Sequence, residues 1–303
     1  MMNLNREKLP TIAAYEVPAD LKCKVVYTAC IDGKPFDFVT SSNAKIARRV
    51  EPIINKVLAG MSISAADRYL LLNAVYACLH ESGKVEGAAS VNSCCKVCKS
   101  CVCRMGDENK ICSKCYSDSQ SNWQAGTREK GIISAWIINS IVFTPDEWKN
   151  LAILHYGFVI RVESFGDCSS VNHAANMINI ALAYPEKRVG IWTKNPAYYE
   201  KIFDQIGKPE NVSFGYSAEL IAVIPEISGK SWYKYIDFVF AVMLPNGKSK
   251  NTGLTLDGQV VPITCGGKKC KTCANHGKDG YSCYFLRRED NNNEPYMVYE
   301  MLK

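Results

Sequence analysis

From Gly157 onward the chain alternates short apolar runs with amphipathic ones, and no other feature restricts its fold as much. "GFVIRVES" reads as a buried strand, and "VNHAANMINIALAY" sets Val171, Ala174, Ala175, Ile178 and Leu182 on one helical face. "RVGIWTKN" is a second strand, "PAYYEKIFDQIGK" a second helix, and "NVSFGYS" and "YIDFVFAVML" are further strands. Strands separated by helices pair in parallel through right-handed crossovers. The chain is therefore expected to be α/β. Its sheet should be doubly wound or form a partial or full parallel β/α barrel, of which we expect the barrel.

Upstream, "KCKVVYTACI" and "PFDFVT" flank Asp32-Gly33 and predict a hairpin over residues 22–40. "SSNAKIARRVEPIINKVLAG" predicts a helix from a Ser cap to Gly60, kinked or interrupted at Pro52. "SAADRYLLLNAVYACLHESG" predicts another, with Tyr69, Leu72, Val75 and Leu79 on its apolar face and His80 as a structural or solvated helical residue. Residues 1–86 thus read as a small N-terminal α+β lobe ahead of a β/α core, residues 87–303. "TPDEWKNLAILHYG" predicts a helix capped by Thr144 with Pro145 at its first position, and Trp123, Trp136 and Trp148 are assigned to the core.

The net charge of +6 is scattered rather than gathered into a basic stripe, so nucleic acid is only weakly supported as a partner. The N-terminal residues lack an apolar signal core. The longest nearly apolar run, "GIISAWIINSIVF", has 13 residues, short of the ~20 needed to span a bilayer. A cytoplasmic protein with no membrane partner is expected. "SGKS" lacks the upstream glycine of a phosphate loop.

Fifteen cysteines sit in this setting, and eleven of them fall in two tight groups, residues 94–116 and 265–283. A disulfide framework does not suit an odd count in a reducing compartment, whereas CxxC spacing suits metal. In the first group, Cys95-x2-Cys98-x13-Cys112-x2-Cys115 is similar to a zinc ribbon, with Cys94, Cys101 and Cys103 left over. Cys98-x2-Cys101 is a rival knuckle, and Cys103, Cys112 and Cys115 form an open three-thiolate set of the kind that leaves one iron of a cluster without a cysteine. The second group, Cys265-x4-Cys270-x2-Cys273-x9-Cys283, opens with an iron–sulfur spacing and equally suits a four-Cys zinc; His276 inside it reads as an exposed loop residue. Spacing alone leaves iron and zinc both open.

Sites in parallel β/α folds gather at the carboxyl ends of strands. Those ends carry Glu163, Ser164, Phe165, Gly166 and Asp167, then Thr193, Lys194 and Asn195, then Ser217. Gly166 allows the backbone close to a ligand. Asp167 is the leading carboxylate and Glu163 the second, and a helix cap is the structural alternative for Asp167. Arg161, mid-strand, is expected either to grip an anionic ligand or to order one of these carboxylates. A nucleophilic Cys168 with His173 is disfavoured, because five helical residues place the two side chains poorly.

In chain order, "ICSKCYS", "IRVESFGDCSSVNHAANMINIALAYPEKRVGIWTKNP", "IDFVFAVML" and "ITCGGKKCKTC" resemble the gene-product-88 family of phage and mobile-element proteins over residues 100–303. Ser117 stands where that family usually has Ala, and Cys168 where it often has an apolar residue. Cys94, Cys95, Cys98 and Cys101 are additions to its pattern. By analogy of layout, the resemblance implies a radical-SAM-like iron–sulfur enzyme acting on an undefined small-molecule or macromolecular substrate. A [4Fe–4S] cluster would sit on Cys103, Cys112 and Cys115, and S-adenosylmethionine would be held at the Glu163–Asp167 turn with Thr193, Lys194, Asn195 and Ser217. An auxiliary cluster or zinc would sit on Cys265, Cys270, Cys273 and Cys283. Two alternatives stay open: a zinc-stabilised, non-catalytic phage protein that binds nucleic acid or a host protein, and an electron-transfer iron–sulfur protein.

Overall fold

The structure is a computed structural model, and it describes residues 38–95, 104–115, 124–247, 249–266, 269–275 and 280–302. Nearly all of the hairpin expected at 22–40 lies outside these residues, as do Trp123 and His276.

Helix α1 (Ser41–Leu58) buries Ala47, Val50, Ile53 and Ile54 and runs unbroken through Pro52. The expected interruption is absent because Pro52 and Arg48 both lie on the exposed face. The carbonyl that proline cannot bond is there open to water. The cap of α1 is Thr40 rather than a serine, and it makes no side-chain bond to the helix. Helix α2 (Ala65–Asn73) starts in a Ser64/Asp67 capping box. It ends ten residues before the expected Gly83, and Tyr69 is exposed rather than on a buried face. The remainder becomes strand β1 (Tyr76–Leu79), paired antiparallel with β2 (Ala89–Asn92). His80 therefore follows a strand instead of riding a helix. The boundary expected at 86–87 falls in the β1–β2 turn, and α1 and α2 share one core cluster with the β/α units.

Helix α3 (Ala125–Ser140) follows, and then α4 (Pro145–Trp148), whose Thr144 cap and leading Pro145 are as expected. Trp148 is fully buried and Trp136 packs against the same core. The alternation then runs β3 (Val159–Val162), α5 (Val171–Ala183), β4 (Arg188–Thr193), α6 (Pro196–Ile206), β5 (Val212–Ser217) and β6 (Phe238–Asn246). The hairpin β7 (Ser249–Leu254) and β8 (Val260–Pro262) follows, and β9 (Tyr296–Met301) pairs parallel with β6.

From β2 to β6 each parallel neighbour is the next strand in sequence, so the sheet winds in one direction with its helices on one face. Ile160, Val162, Val189, Ile191, Val212 and Phe214 point to that helical core. Alternation sends Arg161, Gly190, Trp192, Ser213 and Gly215 to the opposite, inner face. Residues 281–286 pack on that face, Tyr284 against Trp192 and Leu286 with Phe238.

The nine-stranded sheet is not closed by strand pairing, so the full-barrel expectation is not met. Its two ends are nevertheless tied together. Lys84 in the β1–β2 turn pairs with Glu300 of β9 at 2.6 Å. Cys270 N donates to the Lys84 carbonyl at 2.6 Å, and Tyr281 donates its hydroxyl to the Glu86 carbonyl. The second cysteine segment thus fills the seam between the first strands and the last.

Candidate active site at the strand ends

The carboxyl end of β3 carries a conformational outlier. Glu163 has φ +59°, in the left-handed region that a residue with a side chain occupies only at a cost. Its carboxylate is buried. Oε2 accepts from Ser93 N at 3.0 Å and Ser93 Oγ at 2.8 Å, which ties the end of β3 to the end of β2. Oε1 lies 2.7 Å from His173 Nε2 on α5, as an ion-pair contact rather than an aligned hydrogen bond. Gly166 closes over this cluster. A Cβ there would meet Glu163 Oε2 and Ser93 Oγ, each at 2.2 Å, so only glycine fits.

Asp167 is buried and fully engaged. Oδ1 accepts from Thr193 Oγ1 at 2.6 Å and Cys168 N at 2.8 Å, and Oδ2 from Lys194 N at 3.1 Å and Asn195 Nδ2 at 3.3 Å. The helix cap is instead Ser170, which accepts from His173 N at 3.1 Å. Asp167 is thus neither a cap nor an open acceptor: it staples the loop after β3 to the loop after β4. Burial pushes its carboxyl above the ordinary aspartate value against the pull of Lys194 and Thr193. Thr193 and Asn195 spend their polar groups on this staple. Lys194 projects from it, its Nζ 3.3 Å from Ser217 Oγ at the end of β5.

The first cysteine segment arrives over these loops. Ile111 N donates to Glu219 O at 2.8 Å and Ile221 N to Asn109 O at 2.9 Å, so residues 109–111 pair with the extension of β5. Arg104 bonds Glu219 Oε1 at 2.7 Å and Asn195 Oδ1 at 3.1 Å. Cys112 is buried within electrostatic reach of Lys194, Cys115, Arg104 and Asp167; burial raises its thiol pKa and Lys194 opposes the rise. Cys112, Cys115, Asp167, Lys194 and Ser217 therefore gather at one end of the sheet. Cys98, Cys101 and Cys103 lie outside the described residues, so the three-thiolate set is seen only in part. Cys94 is buried at the end of β2 beside Gly131 of α3, and Cys95 packs against Met105.

Two of the CxxC pairs, Cys112/Cys115 and Cys270/Cys273, share one backbone form. Residues Ile111–Lys114 make a single 3-10 turn, and Cys115 N returns to the Cys112 carbonyl at 3.3 Å. Residues Cys270–Thr272 make the same turn, and Cys273 N returns to the Cys270 carbonyl at 3.2 Å. The second cysteine is the extended C-cap in both, at φ/ψ −69°/120° and −80°/115°. The C-terminal four lie within electrostatic reach of one another. The Cys283 thiol is raised by burial and then by Cys265, Cys270 and Cys273 in turn. Among the described residues, no three His, Cys, Asp or Glu side chains stand in a group able to hold a metal ion.

Arg161 is engaged on the inner face of the sheet. Its guanidinium lies 4.7 Å over the Trp192 ring on the inner face, within electrostatic reach of Cys270 and Tyr284. Cys168 is buried, and burial and the charge of Asp167 drive its thiol pKa well up. Sequence reasoning missed Ser93, which has no local signal. It also missed His173 as the partner of Glu163 and Arg104 as the bridge to Glu219.

Compared with family models, with curated proteins and with solved structures, the chain gives no match.

Proposed function

We propose that the chain is a metal protein of the gene-product-88 type and a radical-SAM-like iron–sulfur enzyme of partial-barrel layout. The observation that carries this reading is the shared 3-10 turn of the two CxxC pairs, one placed at the strand ends and one in the seam. Cys103, Cys112 and Cys115 would hold a [4Fe–4S] cluster, and Cys265, Cys270, Cys273 and Cys283 an auxiliary cluster or zinc. A cluster on three cysteines supplies electrons and one iron open to a cofactor such as S-adenosylmethionine. The chain's own part is to shape the mouth. Lys194 and Ser217 offer a cation and a hydroxyl there. Asp167, Thr193 and Asn195 act as positioning residues that hold Lys194 in place, and Glu163 with Gly166 fixes the turn.

One observation favours the zinc-stabilised, non-catalytic alternative: the Asp167 carboxylate already accepts four hydrogen bonds from its own chain, which leaves it closed to a cofactor's ammonium group. Anaerobic purification with iron, zinc and sulfide analysis separates the readings. About four irons per cluster with matching sulfide support the enzyme, and reductive cleavage of S-adenosylmethionine would complete the case. Zinc without iron supports the alternative. Native protein that is metal-free, folded and thiol-reactive in both cysteine groups overturns both.

A further inference from the structure

A cleft of about 470 Å³ opens at the amino ends of β4 and β5, the pole of the sheet opposite the strand-end site. β4 has six residues, so about 20 Å separates the two poles. The walls of the cleft are fixed by the chain itself. Asn211 Nδ2 bonds the Ala181, Tyr184 and Lys187 carbonyls at 2.9, 3.0 and 3.1 Å, which pins the loop between α5 and β4. Lys187 spends its ammonium group on the Leu154, His155 and Gly157 carbonyls at 2.6, 2.7 and 2.9 Å. Its three N–H donors are thereby used, and it lends the cleft charge alone.

Two guanidinium groups converge on one oxygen of the lining. Arg188 Nη1 donates to the Glu210 carbonyl at 2.9 Å, and Arg287 Nη2 donates to the same carbonyl. Arg287 is otherwise occupied. Its Nη1 donates to the Val212 carbonyl at 2.6 Å and lies 3.7 Å from Asp237 Oδ2. Asp237 is itself paired with Lys208 at 2.5 Å, so one buried carboxylate serves two cations. Arg188 has no carboxylate: among the described residues it forms no ion pair, and its other guanidinium N–H groups make no hydrogen bond. The Phe285 ring covers one flat face of that guanidinium, 5.3 Å from centroid to Cζ, which leaves the N–H edge to meet an anion. Burial lowers the pKa of Arg287; Asp237 opposes the fall, the charge of Arg188 adds to it, and Glu289 and Asp290 oppose it more weakly. The two guanidinium charges therefore lie within reach of each other. Glu186 and Glu210 also line the cleft, but both are exposed and neither pairs with either arginine.

Arginine forks match phosphate oxygens in pairs, and a phosphate monoester brings close to two negative charges at neutral pH. One such group compensates both guanidiniums at once. The cleft falls within the range of small-molecule sites, about 300–1,000 Å³, so it has room for a molecule that carries the phosphate. We propose that this cleft binds the phosphate group of a small phosphorylated ligand, with the Arg188 fork as donor and Arg287 as the second charge. The site draws on none of the proposed metal ligands and stands whether or not either cysteine group holds metal.

The test is calorimetric titration of the protein as purified with inorganic phosphate, at an ionic strength held constant with chloride. The thermal midpoint is read in parallel. The site predicts one saturable event per chain and a midpoint that rises with it. Malonate, also a dianion, should bind more weakly. Arg188→Gln should weaken phosphate binding by about tenfold or more, and Arg188→Lys, which keeps the charge and loses the fork, by less. Glu210→Gln removes an exposed carboxylate from the lining, leaves the carbonyl in place, and should tighten binding by about threefold. That variant decides the matter if the Arg188 variants do not fold, and an unchanged affinity in it then overturns the proposal. So does a parent protein without saturable phosphate binding, binding that survives Arg188→Gln intact, or malonate that binds as tightly as phosphate.

Discussion

Glu163 and His173 meet at 2.7 Å, Oε1 to Nε2, with side chains 1% and 0% exposed. The pair fastens the end of β3 to the first turn of α5. Removing one partner leaves the other's polar atom buried without a contact, which costs about 1–3 kcal/mol. Glu163→Ala should therefore destabilise the protein by roughly that amount in urea unfolding. Glu163→Gln, which retains an acceptor for Ser93, should lose about half as much. Equal losses would mean that the Ser93 bonds contribute nothing.

Gly166→Ala puts a methyl group where Glu163 Oε2 and Ser93 Oγ already sit. Overpacking of this kind costs about 1–3 kcal/mol. Combining it with Ser93→Ala should recover part of the loss, since the two side chains compete for one space. Strict additivity in a double-mutant cycle would show that the crowding is relieved elsewhere.

Asp167→Asn replaces an acceptor facing Lys194 N and Asn195 Nδ2 with a donor. About 2–4 kcal/mol should be lost, because hydrogen bonds to charged groups are the stronger kind. Thr193→Val should cost about 1 kcal/mol by itself and less once Asp167 has been changed. If Asp167→Asn leaves stability untouched while abolishing binding of S-adenosylmethionine, the residue is a ligand contact and not a staple.

Glu129 on α3 anchors the entry to α1. Its carboxylate accepts from Val39 N at 2.5 Å, Asn43 Nδ2 at 3.1 Å and the Thr40 hydroxyl. Burial alone would raise its pKa, but the bonds from Thr40, Asn43 and Val39 outweigh burial and hold it below the ordinary glutamate value. A depressed folded-state pKa gives stability that is present above the unfolded value, about 4.3, and lost as pH falls through the folded one. Acid should therefore loosen α1 first. Amide exchange in residues 41–58 should accelerate below pH ~4, and Glu129→Gln should remove that pH dependence while weakening the anchor at neutral pH.

The β/α units could be read from the sequence because their determinants are local. The apolar runs at 159–162 and 188–193 and the helical faces of residues 171–183 and 196–206 each declare themselves within a dozen residues. Residues 76–79 could not be read this way. Their apolar spacing fits a helix as well as a strand, and pairing with Ala89–Asn92 decides between the two. The strand-end residues do gather at one end of the sheet, but their contacts depend on partners far along the chain. Asp167 finds Thr193 26 residues away, and Glu163 finds Ser93 70 residues away. The surroundings of Arg161 could not be read locally either, since its neighbour Trp192 is set by sheet register rather than by anything near it in sequence.

Lys84 and Glu300 are 216 residues apart, yet they fasten one rim of the sheet to the other. During synthesis, Lys84 must wait for almost the whole of the remaining polypeptide to leave the ribosome before it meets Glu300. The tie between the first strands and the last is therefore among the latest contacts the emerging protein can make, and the intervening β/α units must hold together without it.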